Sequence, residues 1–388
     1  MIQSFGATLE EREALLADAR RIAPAIRAAA DEIEAARQLP EHVVDLLKSI
    51  GAFRLIQPRW LGGHAADPVT QILFIAEIAK ADASAGWCVM IGCDSGFVSR
   101  GVDRDLAMQM FADRDAASCG GAFPPGAAQR VEGGYVANGR WPYMSGITHS
   151  TWAQFACRLV DDGGAPVTPA QMLRFVVHVS DLTVHDTWHT SGMCGTGSHD
   201  AEAVDLFIPD ERMLPERDLG RSGLDDPLSH LSWLLPKHMG VPLGLTQGAH
   251  EEVMAIAQER VAMRGALRDD PLMQSTLGET AARVASCRAY ALAAADDAWR
   301  ECCETDELSE VTRARLRLAI THVHQESARV MERLYSVAGS TALYSERSTL
   351  GRRLRDMQAM NQHVVLGASN YAAAARVLLG LKPAAPFW

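Results

Sequence analysis

Apolar and polar positions divide the chain into three stretches with different periods. From residue 9 to about 111 apolar residues recur at helical spacing. Val43, Leu46, Leu47 and Ile50 share one face, Gly51 follows as a natural stop, and Pro40 takes the first-turn position that proline tolerates. Residues 72–78 and the apolar run 87–91 continue the theme. Around Gly120 the helical period is lost as glycine and proline become frequent (Gly120, Gly121, Pro124, Pro125, Gly126), which marks a boundary. Short strands are predicted beyond it. Residues 130–132 and 135–137 flank Gly133-Gly134, a two-residue hairpin signal, and Asn138-Gly139 predicts a second turn before Trp141. Residues 155–160, 173–179 and 203–208 are further strands. From about residue 234 the helical period returns in four long Ala- and Arg-rich stretches, 244–267, 274–303, 308–337 and 356–379. Helices of that length form antiparallel bundles, and Ala291, Ala293, Ala294, Ala295, Ala372, Ala373, Ala374 and Ala375 permit close helix or subunit packing.

The predicted class is therefore α+β: an N-terminal helical domain over residues 1–118, a middle β-barrel or sandwich domain over 119–232, and a C-terminal four-helix bundle over 233–388. Composition agrees with a globular enzyme of this size, 388 residues with 48% hydrophobic and 22% charged. The net charge of -11 is spread along the chain and argues against nucleic acid as a partner. Eight scattered cysteines, with Cys302 and Cys303 adjacent, lack the spacing of a zinc site or a disulfide framework, so reduced thiols and no metal are expected. The N-terminus has no basic-then-apolar signal and no window nears the roughly 20 apolar residues that span a bilayer. A cytoplasmic protein without membrane contact is expected.

Two segments of the middle third carry candidate chemistry. Residues 188–200 (Trp188-His189-Thr190-Ser191-Gly192-Met193-Cys194-Gly195-Thr196-Gly197-Ser198-His199-Asp200) combine glycines, hydroxyls and an aromatic between two strands. Backbone amides and hydroxyls of that kind can hydrogen-bond a polar heterocycle or a phosphate while the indole packs on a ring. Residues 141–150 (Trp141-Pro142-Tyr143-Met144-Ser145-Gly146-Ile147-Thr148-His149-Ser150) are similar in character. On their own both are equally readable as structural loops.

At this point the chain resembles the acyl-CoA dehydrogenase superfamily along nearly its whole length. The residues that carry the likeness are Leu39-Pro40-Glu41 to Gly51, then Pro58 with Gly62-Gly63; Ala81-Asp82-Ala83-Ser84-Ala85-Gly86-Trp87; the two loops above; and Gly339-Ser340 with Arg352-Arg353-Leu354-Arg355-Asp356. The resemblance implies a flavin held between the β loops and the C-terminal helices. Trp141, Met144 and Ser145 from one loop, and Trp188, Ser191, Met193, Gly195, Thr196 and Ser198 from the other, would line the ring and its ribityl-phosphate tail. Arg355 of the "RD" segment would join them. Arg260, in Glu259-Arg260-Val261-Ala262-Met263, stands where the family reaches the cofactor phosphate of a neighbouring subunit, a task that suits its planar fork. A solvated helix-surface arginine is the plainer reading of that position. A homotetramer is implied as well.

Dehydrogenases of the superfamily remove a proton with a glutamate near the "RD" segment or near the start of the bundle. Residues 357–377 contain no acid, residues 234–247 offer only Lys237 and His238, and Glu251 and Glu252 look like helix-surface acids. His363 follows "RD" instead. That resembles the oxygenase components of two-component flavin monooxygenases, in which reduced FMN or FADH2 from a separate NAD(P)H-dependent reductase reacts with O2 to a C4a-hydroperoxide that hydroxylates or epoxidises a small aromatic or heteroaromatic compound such as indole or a phenol. Ser145 and His363 would serve catalysis, histidine by donating a hydrogen bond or acting as a base near neutral pH. Asp94, where phenol hydroxylases of this branch tend to carry a histidine, would accept a substrate N–H or O–H, or else cap a helix. Its charge is expected to repel phenolic acids and favour neutral rings such as indole. Trp87, Phe97, Tyr143, Trp233 and His238 are candidate substrate contacts, the aromatics being equally readable as core. Alternatives are an amine N-hydroxylase, an acyl-CoA dehydrogenase-type oxidoreductase, and an inert oligomeric relative. FMN is favoured because Tyr335-Ser336-Val337-Ala338-Gly339 replaces the pattern that grips an adenine.

Overall fold

The computed structural model describes residues 6–215, 226–262 and 265–383. Seven helices come first: α1 (Leu9–Ala28), α2 (Ala30–Ala36), α3 (Glu41–Ser49), α4 (Pro68–Ala81), α5 (Ala83–Gly92), α6 (Ser95–Gly101) and α7 (Arg104–Met110). The starts of α1, α4 and α5 are set by side chains that satisfy orphan amides. Asp67 accepts from the Thr70 amide at 3.0 Å with Pro68 in the first turn, and Asp82 accepts from the Ala85 amide at 2.9 Å. Pro40 stands one place earlier than expected, as the extended residue before α3 rather than in its first turn.

Seven strands follow: β1 (Ser118–Val131), β2 (Gly134–Trp141), β3 (Trp152–Val160), β4 (Met172–His178), β5 (Thr183–His185), β6 (Asp200–Pro209) and β7 (Met213–Leu214). They form one mixed sheet in the order β5-β6-β2-β1-β3-β4-β7, with β1 and β3 parallel. A hairpin joins β1 to β2 one place earlier than expected: Glu132-Gly133 form its two-residue loop, Gly133 at φ 74, and Gly134 already pairs with Val131. Asn138-Gly139 is not a turn. Both residues lie inside β2, where the pairing with β6 shifts between Ala137 and Gly139, and a Cβ on Gly139 would stand 2.7 Å from the Gly126 backbone. The glycine-rich stretch that marked the boundary is itself the first half of β1, with a register shift between Gly121 and Gly126.

The last third contains α8 (Gly240–Glu259), α9 (Pro271–Thr305), α10 (Glu310–Ala338), α11 (Leu350–Met360) and α12 (Ser369–Leu378). The stretch expected as one helix over 356–379 is two, separated by a turn over residues 361–368. Asn370 holds that turn by donating to the Gly367 carbonyl at 2.8 Å. His363 therefore sits in a link between helices, not on one.

Helices before and after the sheet share one apolar core that runs from Leu15 to Leu366. Gly240, Gly244 and Gly248 line one face of α8, and a Cβ at these places would meet the backbone carbonyls of Ile72, Ala76 and Lys80 at 2.7, 2.1 and 2.8 Å. The stripe lets α8 lie directly on α4. Glu252, expected as a surface acid, instead accepts from the Thr349 amide at 2.8 Å and the Ser348 hydroxyl at 2.7 Å, tying α8 to the start of α11. No helix among the described residues is long and apolar enough to cross a membrane. All eight cysteines are unpaired.

Candidate active site

A cavity of about 850 Å³ opens between the sheet, α5, α10 and the α11–α12 link. Its sheet-side wall is built from the two expected loops, 142–151 between β2 and β3 and 186–199 between β5 and β6. Tyr143, Ser145, Trp188, Ser191, Met193, Thr196 and Ser198 all line it. Tyr143 (φ 63) and Met193 (φ 54) both hold the left-handed backbone that side chains other than glycine avoid, so each loop keeps a strained residue at the wall.

The hydroxyls between these loops form a directed relay. Thr196 Oγ1 donates to the Met193 carbonyl at 2.9 Å, so its contact with Ser198 Oγ at 2.6 Å must be one it accepts. Ser198 then accepts from Ser145 at 2.7 Å, and Ser145 accepts the Trp87 indole N–H at 3.2 Å. The Ser145 proton is committed. What Ser145 offers the cavity is a lone pair.

The loop at 188–198 is clamped from behind. Its Met193 amide donates to Asp356 at 2.6 Å and its Ser191 carbonyl accepts from Arg355 at 2.7 Å. A Cβ on Gly192 would lie 2.2 Å from the Arg355 carbonyl, so only glycine lets the loop meet α11 this closely. Burial and the Asp82 charge push the Asp356 carboxyl up to about 7, its bond from Met193 pulling the other way. His199 Nδ1 accepts from the Thr187 and Trp188 amides at 3.2 and 3.3 Å, which fixes its proton on Nε2 and orients the Trp188 backbone.

The helical wall brings Trp87, Asp94, His238 and His363 together. The Trp87 ring stands edge-on to both histidines, 5.6 Å from His238 and 5.9 Å from His363, and the histidine rings lie 5.7 Å apart. Burial lowers the pKa of His363, and that of His238 further still with help from Lys237. Both are neutral at pH 7. His238 Nδ1 contacts the Leu235 carbonyl at 3.0 Å and so carries the proton, which leaves Nε2 an acceptor. Behind them, His324 Nδ1 meets the Asn361 side-chain oxygen at 3.0 Å and steadies the turn that carries His363.

Asp94 does not cap α6 with its side chain. It takes a bond from the buried Lys237 ammonium at 2.6 Å. Burial raises the Asp94 pKa and Lys237 opposes that rise. The expected repulsion of anionic substrates is thereby corrected, because the Asp94 charge is met by an ammonium. Among the described residues Asp94 is also the only acid on the cavity wall. Among the described residues no free carboxylate lines the cavity to serve as a dehydrogenase's base.

Several expected contacts fall elsewhere. Trp141 stacks on Phe155 at 3.9 Å and donates to the Ala156 carbonyl, so it belongs to the sheet core. The Met144 side chain is in that core too, its amide committed to the His199 carbonyl. Gly195 packs against α2, where a Cβ would strike Ile33 at 2.1 Å. Arg355 holds the loop from behind and does not line the cavity. Phe97 is buried behind it with the Lys237 ammonium 5.6 Å from its ring, and Trp233 is buried against Trp299 and bonded to the Pro227 carbonyl. Arg260 is exposed at the end of α8; Met263 of its motif lies outside the described residues. Conversely Arg174, Arg313 and Arg317 line the cavity and went unnoticed. Arg313 and Arg317 lie on the apolar stripe of α10 that carries Ile320, a charge on an inward face that was visible in the pattern.

Comparison with known proteins gives the same frame. Residues 9–104 match the acyl-CoA dehydrogenase N-terminal domain and residues 238–367 its C-terminal domain. The chain is 30% identical over 365 residues to indole-3-acetate monooxygenase of Pseudomonas putida, covering 92% of this chain and 91% of that one. It is 27% identical to the oxygenase subunit HsaA, a flavin-dependent monooxygenase of Rhodococcus jostii, covering 92% and 94%. The structure of XiaF from Streptomyces sp., in complex with FADH2 and glycerol, superimposes with a TM-score of 0.89 at 26% identity, covering 97% of this chain and 98% of that one. With the helix–sheet–helix order, the two β loops and a histidine in place of the acid, the chain belongs to the acyl-CoA dehydrogenase family, in its branch of flavin-dependent monooxygenase oxygenase components.

Proposed function

We propose that the protein takes reduced flavin from a separate NAD(P)H-dependent reductase and hydroxylates a small aromatic or heteroaromatic substrate of the indole or phenol kind in the cavity under Trp87, His238 and His363. The observation that carries this reading is the pair of neutral histidines against Trp87, on a wall whose only acid, among the described residues, is paired with Lys237.

The residues fit a reduced flavin. Its N5–H is a donor, and the relay leaves Ser145 with a lone pair to receive it. Tyr143 and Trp188, edge to face at 6.2 Å, offer aromatic surface at the cavity wall. Bound reduced flavin and O2 together supply the oxygen atom and the two electrons that send the second oxygen to water. The chain's own work is to orient the ring, exclude water and manage one proton. His238 Nε2 accepts a substrate N–H or O–H, and the neutral His363 takes or returns the proton of the hydroxylated carbon. The names of relatives support this reading: HsaA is an oxygenase subunit, another relative is the oxygenase component of a resorcinol hydroxylase, and two are indole-3-acetate monooxygenases. Arg260 would serve a neighbouring subunit's flavin in a homotetramer, and a cytoplasmic location suits a partner reductase.

The test is a single-turnover reaction. The protein is mixed anaerobically with reduced FMN or FADH2 and an indole or phenol, and O2 is admitted. Hydroxylated product in near-stoichiometric ratio to flavin is expected. Flavin oxidation that yields only hydrogen peroxide across a panel of such rings would contradict the reading.

A further inference from the structure

Behind the helical wall of the cavity lies an ion pair that packing alone does not require. Lys237 does not line the cavity, and its side chain is fully buried. Its ammonium donates to Asp94 Oδ1 at 2.6 Å and to the Leu234 carbonyl at 2.9 Å, with the centre of the Phe97 ring 5.6 Å away. Taking both charges out of water is costly, and apolar side chains of similar size often serve stability as well or better. The pair therefore needs a reason beyond stability, and its place in the fold supplies one. Lys237 belongs to the short turn Pro236–Met239, whose next residue, His238, reaches the cavity, while Asp94 stands on the wall just before α6. One ammonium thus joins the two segments that carry the acceptors of this wall, His238 Nε2 and the Asp94 carboxylate. Three titratable groups act on His238: Lys237 from its own turn, His363 from the α11–α12 link and His324 from α10. Burial holds both of those histidines below their ordinary pKa, His324 at about 4, so near pH 7 only Lys237 of the three is charged. Burial is the first cause of the low His238 pKa and the Lys237 charge the second. Asp94 in turn feels Lys237 and, from β4, Arg174.

We propose that Lys237 is a positioning residue for the reaction: by tying the His238 turn to Asp94 it keeps His238 an acceptor, so that the cavity selects rings that carry an N–H or O–H donor. This rests on the aromatic-substrate reading and deepens it. Without the ammonium a proton enters His238 more readily, and a protonated imidazole donates from both nitrogens and accepts from neither.

Affinity for indole is compared with that for benzofuran, which has the same ring frame without the N–H, by calorimetry from about pH 8 down to about pH 5 with reduced FMN bound under anaerobic conditions. The ratio of the two cancels any loss that falls on both rings alike. Indole is expected to bind about fivefold tighter, the size of one ordinary hydrogen bond. That preference disappears as pH falls through the His238 pKa. In Lys237→Met it should disappear about one pH unit higher than in the unmodified protein, the low end of what a neighbouring charge does, and Lys237→Arg should return it toward the unmodified profile. Because Lys237→Met leaves Asp94 buried and unpaired, Asp94→Asn combined with Lys237→Met is the second variant; it holds neither charge and should move the profile in the same direction. Thermal unfolding shows which of the two is folded, and if neither is, Lys237 serves the fold alone and the inference falls. An unmoved profile in a folded variant would overturn it, as would a loss shared equally by indole and benzofuran, or no preference for indole at any pH. If neither ring binds although reduced FMN does, the aromatic-substrate reading itself fails.

Discussion

At the scale of single residues, function depends on which atoms are already spoken for. Ser145 can only accept because its proton goes to Ser198. Ser198→Ala would free that proton and let Ser145 donate, so the preference for reduced over oxidised FMN should fall about fivefold, the size of one ordinary hydrogen bond. Fluorescence titration of both flavin states checks this; an unchanged ratio would contradict the relay's direction. His363→Ala is expected to lower kcat about 100-fold, within the range of a positioned acid–base group. Because burial holds its folded pKa below the ordinary 6.5, His363 stays neutral as pH falls past 6.5. The acid limb of the kcat profile should therefore lie below pH 6.5 and disappear in the variant. A variant that is barely slowed would favour amine N-hydroxylation, which asks little of a base. His363, Ser145 and the 188–198 residues were legible as residue types in a family pattern. Arg174 and the Asp94–Lys237 pair were not, because 143 residues separate Asp94 from Lys237 and only the folded chain brings them together.

At the scale of elements, the order of helices and strands followed from periodicity, and the errors have local causes. The Gly120–Gly126 stretch reads as a boundary because its glycines serve a strand that changes register, where small residues are needed. The long helix expected over 356–379 breaks where Asn370 bonds the local Gly367 carbonyl in competition with the helical ladder, while Asn361 at the end of α11 is tied to His324 of α10. That break is what turns His363 into the cavity. The glycine stripe of α8 gives a direct test. Gly244→Ala places a Cβ 2.1 Å from the Ala76 carbonyl and should cost about 2 kcal/mol or more in urea unfolding, as overpacking does. Gly278→Ala in α9, where a Cβ meets nothing within 4 Å, should instead stabilise by up to about 1 kcal/mol. Equal effects would contradict the described contact of α8 with α4.

At the scale of the whole molecule, the sequence separates three stretches while the fold joins the first and last in one core and leaves the cavity where that core meets the sheet. The site is thus assembled from all three parts of the chain, with Trp87, Ser145 and His363 each from a different one. Periodicity could place each stretch, but it carries no information on which faces meet. A homotetramer should elute with four times the 42.0 kDa chain mass. In that assembly Arg260→Glu should weaken reduced-flavin binding about tenfold, the loss expected from reversing one phosphate contact. Unchanged affinity would remove Arg260 from the cofactor site.

The central claim is that this cavity transfers one oxygen atom from O2 to an aromatic ring. The most direct measurement is a turnover in ¹⁸O2 with reduced FMN, followed by mass spectrometry of the product. One ¹⁸O atom per hydroxylated ring is expected, with the second label in water. A product whose oxygen comes from water, or a desaturated product with no label at all, would contradict the account.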